Sequence, residues 1–174
     1  MGWTIEDMQA EDWPQVADIY RSGIATGLFR SGIATGLATF ERAVPTWDDW
    51  NKNHCRKCRL VARIDGTILA WIALSPVSGR RVYSGMADVS LYVAGASRRQ
   101  GIGTALLTEL IRRSEEAGYW SLQAAIIREN TPSRDLFTKC GFREVGTREK
   151  PARMPDGTWH DVVLMERRSR TVGA

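Results

Sequence analysis

Two stretches of the chain carry residue types able to do chemistry. The first runs Asp88-Val89-Ser90-Leu91-Tyr92-Val93-Ala94-Gly95-Ala96-Ser97-Arg98-Arg99-Gln100-Gly101-Ile102-Gly103-Thr104. It opens with a carboxylate and ends in a basic, glycine-bearing turn. Glycine lets a backbone approach a ligand closely. Free N–H groups at a helix start, with the helix dipole behind them, attract a pyrophosphate, and Arg98 and Arg99 add charge. The dinucleotide fingerprint is not met, because a third Gly is missing at its spacing, and no Gly-Lys-Ser/Thr occurs to make a P-loop. On these residues alone, a tight turn without a ligand stays open. The second stretch, His54-Cys55-Arg56-Lys57-Cys58, has the form of half a zinc site. The remaining cysteine is Cys140 and the other histidine is His160, so plain thiols beside a strand are expected and no metal site.

The elements that must position these groups follow from periodicity and turn chemistry. Residues 3–8 read as a first strand. Asp12 is a candidate cap for a helix through Val16, Ile19 and Tyr20, and Thr46-Trp47-Asp48-Asp49 opens another. Residues 59–64 and 67–74 alternate as strands around the hairpin turn Asp65-Gly66. Residues 75–85 read as a long turn, and 88–93 as a strand. Apolar Ile102, Ala105, Leu106, Leu110 and Ile111 define one face of a helix over 101–118, ended by Gly118. A strand over 121–127, a helix from Asn130 or Thr131 to Cys140-Gly141, and strands over 142–147 and 159–166 complete the order. The expected fold is mixed α/β (α+β), with an early hairpin and a central βαβ unit. Trp3, Trp13, Trp47, Trp50, Trp71 and Trp120 are expected to pack.

The chain has 174 residues, 43% hydrophobic and 25% charged, which suits one domain over 1–174 with a proper core. No apolar run is long enough to span a bilayer, and the first residues lack signal-peptide character. A cytoplasmic protein without membrane partners is expected. The net charge of +4 comes from Lys and Arg dispersed among acids, and no nucleic-acid motif accompanies it. An odd cysteine count argues against a disulfide framework. Arg21-Ser22-Gly23-Ile24-Ala25-Thr26-Gly27-Leu28 recurs identically as Arg30 to Leu37, a tandem duplication within 20–37. A nine-residue shift turns a helix by about 900°, half a turn out of phase, so one copy is expected to be looped out.

The segment Arg98-x-x-Gly101-x-Gly103, following the strand and opening the helix, resembles the acetyl-CoA motif of the GNAT superfamily. Asn130-x-x-Ser133-x-x-Leu136-Phe137-x-x-x-Gly141-Phe142 is similar to the second signature of that family. Ala38-Thr39-Phe40-Glu41, Tyr83 to Val93 and Trp159-His160-Asp161-Val162 resemble its phosphinothricin acetyltransferases, neighbours of the arsinothricin and methionine-sulfoximine enzymes. Asn130 reads equally as a helix cap, and Trp159 to Asp161 as ordinary strand residues.

The resemblance implies a GNAT fold, a central mixed and mostly antiparallel sheet flanked by helices. It also implies acetyl-CoA as co-substrate, direct acetyl transfer to the amino group of a small amino-acid-like acceptor, and a homodimer. On the family pattern, Leu91, Tyr92 and Val93 hold the cofactor arm through their backbone. The turn Arg98, Arg99, Gln100, Gly101, Ile102, Gly103 and Thr104 takes the pyrophosphate, with Asn130 and Ser133 adding contacts. Asp88 stands where the phosphinothricin enzymes carry Glu, and is the expected general base. Phe137 stands where relatives carry a proton-donating Tyr or His. Phe40, Glu41, Arg80 and Tyr83 are the expected acceptor contacts. Two other functions match the same motifs: a GNAT enzyme for a polyamine, aminoglycoside or protein amine, and a non-catalytic acetyl-CoA-binding module.

Overall fold

The computed structural model describes residues 2–26 and 39–174. In chain order its elements are β1 (Thr4–Asp7), α1 (Trp13–Thr26), α2 (Trp47–Asn53), β2 (Leu60–Ile64), β3 (Thr67–Pro76), β4 (Met86–Val93), α3 (Ile102–Glu116), β5 (Ser121–Ile127), α4 (Thr131–Lys139), β6 (Arg143–Arg153) and β7 (Trp159–Arg168). The strands form one sheet in the order β1-β2-β3-β4-β5-β7-β6. Neighbours are antiparallel apart from β4 and β5, which run parallel. This is the expected mixed, mostly antiparallel sheet. The β4–α3–β5 crossover is what permits the parallel pair.

Local chemistry explains most boundaries. Asp65 and Gly66 both take positive φ, 46° and 79°, the conformation a tight hairpin turn requires. Asp12 is not the helix cap. It ends a 3-10 turn over Ala10–Asp12, where its carboxylate accepts the Gln9 N–H at 2.9 Å and pairs with Arg63 at 2.8 Å. The long turn predicted over 75–85 is shorter, because pairing with β4 carries β3 on to Pro76 and Arg81–Tyr83 winds into a 3-10 turn. β6 extends well beyond 147. Its residues are almost all exposed, so no alternation marked it in the sequence, and its ladder with β7 is what defines it.

The sheet is covered on both faces. Leu106, Leu107 and Leu110 of α3 are fully buried in a cluster with Leu60, Ile72, Leu74 and Leu122. Burial of each such side chain stabilises the fold by about 1.5–3 kcal/mol. On the opposite face, Val16 and Ile19 of α1 and Trp50 of α2 pack on Val61, Trp71 and Ala73. The duplicated segment begins inside α1, which Arg21 to Thr26 continue. The second copy, and with it the looping-out expectation, lies outside the described residues.

The residues His54 to Cys58 join α2 to β2. The His54 ring stacks on Trp50 at 4.0 Å, with Nδ1 2.8 Å from the Trp50 carbonyl oxygen. Arg59 donates to the carbonyls of Asn51, His54 and Cys55, a cation closing the C-terminal end of a helix. Cys58 is buried, and burial pushes its thiol up to about 11. Each of these groups thus has a packing role in the connection.

Candidate active site

The central feature of the sheet is a fork. β4 and β5 pair only at Met86, Ala87 and Asp88 against Ser121, Leu122 and Gln123; beyond that the strands diverge. At the closed end of the fork the Gly85 carbonyl accepts the N–H groups of Trp120 and Ser121, at 2.9 and 3.1 Å. A Cβ on Gly85 would lie 2.0 Å from the Trp120 ring, so only glycine fits there. At the open end, the strands lead into the N-termini of α3 and α4.

Strand alternation fixes which backbone groups enter the fork. The Ala94 N–H donates to the Leu69 carbonyl at 2.8 Å, and the β3–β4 register runs without a bulge from there to Ala87. In an antiparallel ladder, alternate residues turn their N–H and C=O to the same neighbour. Tyr92, Ser90 and Asp88 therefore bond to β3, while Val89, Leu91 and Val93 turn theirs toward β5. At Leu91 and Val93 no strand pairs on that side among the described residues, so these groups face the fork. This divides the expected trio: Leu91 and Val93 offer backbone, whereas Tyr92 offers its side chain.

A cavity of about 360 Å³ lies at the fork, lined by β4, β5 and Tyr20 of α1. Asp88 lies on its wall, half-buried at the last paired position. Gln123 Nε2 donates to Asp88 Oδ1 at 2.8 Å, and Oδ2 has no protein partner among the described residues. Burial holds the Asp88 carboxyl above the ordinary range, against the smaller opposing pull of Gln123 and Arg148. Raised basicity at a cavity wall is what a general base requires. Tyr92 stacks on Trp71 at 4.9 Å and meets the Tyr20 ring edge-on at 4.9 Å. Burial, then Tyr92 and Glu41, keeps the Tyr20 hydroxyl protonated well beyond the usual phenol range. Phe40 and Glu41 line the same cavity, as do Asn130, Ser133 and Phe137. Asn130 caps α4, its side chain accepting the Ser133 N–H at 3.3 Å, so cap and cavity wall are one residue. Phe137 is buried edge-on to Phe142 at 4.9 Å and has no proton to give.

The turn over 98–104 lies outside that cavity, at the open end of the fork. Gly101, the cap of α3, has φ +79°, and Arg99 also has positive φ, 61°. Arg98 and Arg99 are exposed and make no ion pair among the described residues. Gly103 lets the helix approach closely, since a Cβ there would lie 2.8 Å from Leu136 Cδ1. Ile102 is buried in the core, and Thr104 lies within the first turn of α3, where its carbonyl accepts the Thr108 hydroxyl at 2.8 Å. Gln100 Nε2 donates to the Ala96 carbonyl at 3.3 Å. The structure does not bring Arg80 and Tyr83 to the cavity. The β3–β4 connection folds on itself before β4, with the Arg80 guanidinium 5.5 Å from the Tyr83 ring centre. Among the described residues, the cation on the cavity wall is instead Arg148 of β6. Neither Arg148 nor Gln123 stands out in the sequence, because each is brought in by sheet pairing from a distant segment.

Comparison with known proteins agrees with this geometry. The family model described as acetyltransferase (GNAT) family matches residues 35–142. The phosphinothricin N-acetyltransferase of Alcaligenes faecalis is 33% identical, over 94% of this chain and 81% of its own length. A crystal structure of a GNAT superfamily phosphinothricin acetyltransferase from Sinorhizobium meliloti, in complex with acetyl-CoA, superposes with a TM-score of 0.84 at 25% identity, covering 99% of this chain and 91% of that one. The ribosomal-protein-alanine N-acetyltransferase of Brucella melitensis superposes with a TM-score of 0.83 at 26% identity, covering 95% and 99%. The residues present fit acetyl-CoA: unpaired strand backbone inside the fork suits an amide-bearing arm, and a left-handed turn with free arginines at a helix start suits a pyrophosphate. Fork, turn and comparisons converge: the chain belongs to the acetyltransferase (GNAT) family and is an acetyl-CoA-dependent N-acetyltransferase.

Proposed function

We propose that the chain transfers an acetyl group directly to the amino group of a small amino-acid-like acceptor of the phosphinothricin, arsinothricin or methionine-sulfoximine type, with Asp88 as general base. The observation that carries this reading is Asp88 itself. It stands where the fork closes, half-buried, with one oxygen fixed by Gln123 and the other left to the cavity that Phe40 and Glu41 also line. Acetyl-CoA when bound supplies the activated thioester. Asp88 removes the proton of the acceptor ammonium, through water where the shorter Asp side chain does not reach. Leu91 and Val93 orient the arm through their backbone, Arg98 to Thr104 hold the phosphates, and Asn130 and Ser133 add polar contacts. Phe137 gives no proton, so that end of the fork relies on water.

The wall carries Asp88 and Glu41 against Arg148. That mixture suits a zwitterion better than a polycation, and the names of the relatives point the same way. Arg80 and Tyr83 are then outer contacts at most. A second copy of the chain would find the exposed β6 edge, with Val145 and Trp159 open beside it, the surface for the homodimer, which light scattering tests. The functional test is thiol release from acetyl-CoA with phosphinothricin, arsinothricin, methionine sulfoximine and a polyamine. The amino acids are expected to release thiol and the polyamine not. The reverse pattern overturns the proposal, and no release with any amine favours a binding module.

A further inference from the structure

Resting on that reading, we infer that Arg148 anchors the α-carboxylate of the acceptor while Asp88 faces its amino group, so that the enzyme requires a free carboxylate beside the amine. Arg143 pairs with Glu166, Arg134 with Glu144 at 3.3 Å, Arg167 with Glu115 at 2.9 Å and Arg128 with Asp161 at 3.1 Å. Arg148 pairs with no carboxylate among the described residues, yet it reaches the cavity wall.

Its position is built. Arg148 stands opposite Val162 and Ala152 opposite His160, so extra residues of β6 bulge between them. Lys150 in the bulge takes φ 43°, and its N–H donates to Asp161 Oδ1 at 3.0 Å. The Arg128 ion pair holds Asp161 in turn. Bulges redirect side chains, and this one begins directly after Arg148.

Arg148 and Asp88 both line the cavity but do not form an ion pair. Two opposite charges that share a wall and leave a gap between them match an α-amino acid, with its ammonium at the carboxylate and its carboxylate at the guanidinium, a planar partner suited to bidentate contact. Neither group alone would distinguish this acceptor from a plain amine.

The test uses the full chain and its Arg148→Met and Arg148→Lys variants. The acceptors are phosphinothricin, methionine sulfone (no side-chain charge), methionine sulfone methyl ester and a polyamine. Arg148→Met is expected to raise KM for methionine sulfone at least ten-fold and to leave KM for acetyl-CoA unchanged. Arg148→Lys should restore part of the loss, and the ester should be equally poor with both wild type and Arg148→Met. Calorimetric titration of methionine sulfone in the presence of CoA should show the same loss of binding without turnover. A wild type that accepts ester and acid alike overturns the inference. So does an Arg148→Met variant that loses phosphinothricin but keeps methionine sulfone, which would place the guanidinium on the side-chain anion. A wild type that acetylates a polyamine and none of the amino acids overturns the amino-acid reading itself.

Discussion

The two ends of the fork are made differently. The open end is made of backbone: the turned-out groups of Leu91 and Val93, the left-handed Gly101, and the first N–H groups of α3. All of it comes from one continuous stretch, residues 88–104. The acceptor side is made of side chains: Tyr20 from α1, Phe40 and Glu41, Gln123 from β5 and Arg148 from β6. The contrast suggests a division of labour. A backbone cradle depends on conformation and serves one constant ligand, while a wall of side chains can be altered residue by residue to change the acceptor.

Substitutions can break or sharpen that division. The largest effect is expected on the acceptor side. Asp88→Asn should lower kcat/KM by about 10²–10⁴ while acetyl-CoA affinity, measured by titration, stays level. The same variant should not be less stable at neutral pH. Because burial raises the Asp88 carboxyl in the folded state, the stability linked to its proton is complete below the unfolded value and lost as pH rises through the folded one. Asn escapes that loss, so thermal melts of variant and wild type should separate as pH climbs across this window.

Gly85→Ala should act on both ends at once, because the closed end sets the angle of the fork. The rigid Trp120 ring is 2.0 Å from the new Cβ, and a clash of this kind costs about 1–3 kcal/mol, read as a lower denaturation midpoint. Gly101→Ala should touch the cofactor side alone. Nothing crowds its Cβ, but φ is +79°, and left-handed backbone costs an L-residue roughly 1–2 kcal/mol, expected as about a ten-fold rise in KM for acetyl-CoA. A smaller effect is a pH shift. kcat/KM should rise with pH as Asp88 ionises, and Gln123→Ala should move that rise to higher pH by removing a hydrogen bond that favours the carboxylate. Smallest, Arg98→Ala should raise KM for acetyl-CoA a few-fold, less at high salt, as screening of an exposed charge requires. Equal responses of both substrates to Gly101→Ala and Asp88→Asn would erase the division.

The same contrast explains what the sequence revealed. The strand–turn–helix over 88–116 was legible because its signals are local: alternation, glycine, then an apolar helical stripe. Asp88 lies in the same stretch, but its reading as general base came from its likeness to the family's Glu and not from a local pattern. Gln123 and Arg148 were not legible, since only pairing of β5 with β4 and the bulge in β6 bring them in, and a polar edge strand has no pattern to read. Asp12 misled because a carboxylate ahead of a helix usually caps it, whereas here Arg63 on a neighbouring strand takes part of its charge. Arg80 and Tyr83 are near Asp88 in sequence but lie beyond the closed end, since the 3-10 turn folds them on each other.

The fork has one more consequence. A sheet whose middle strands part leaves amides that no strand protects, and a bound arm lying between β4 and β5 would act as a surrogate strand. Amide hydrogen exchange would report it residue by residue. Leu91 and Val93 should exchange readily in the free protein and slow sharply when acetyl-CoA is added. Tyr92 between them, already bonded to β3, should be slow in both states. An alternating pattern of protection over three consecutive residues would be the signature of a ligand completing the sheet.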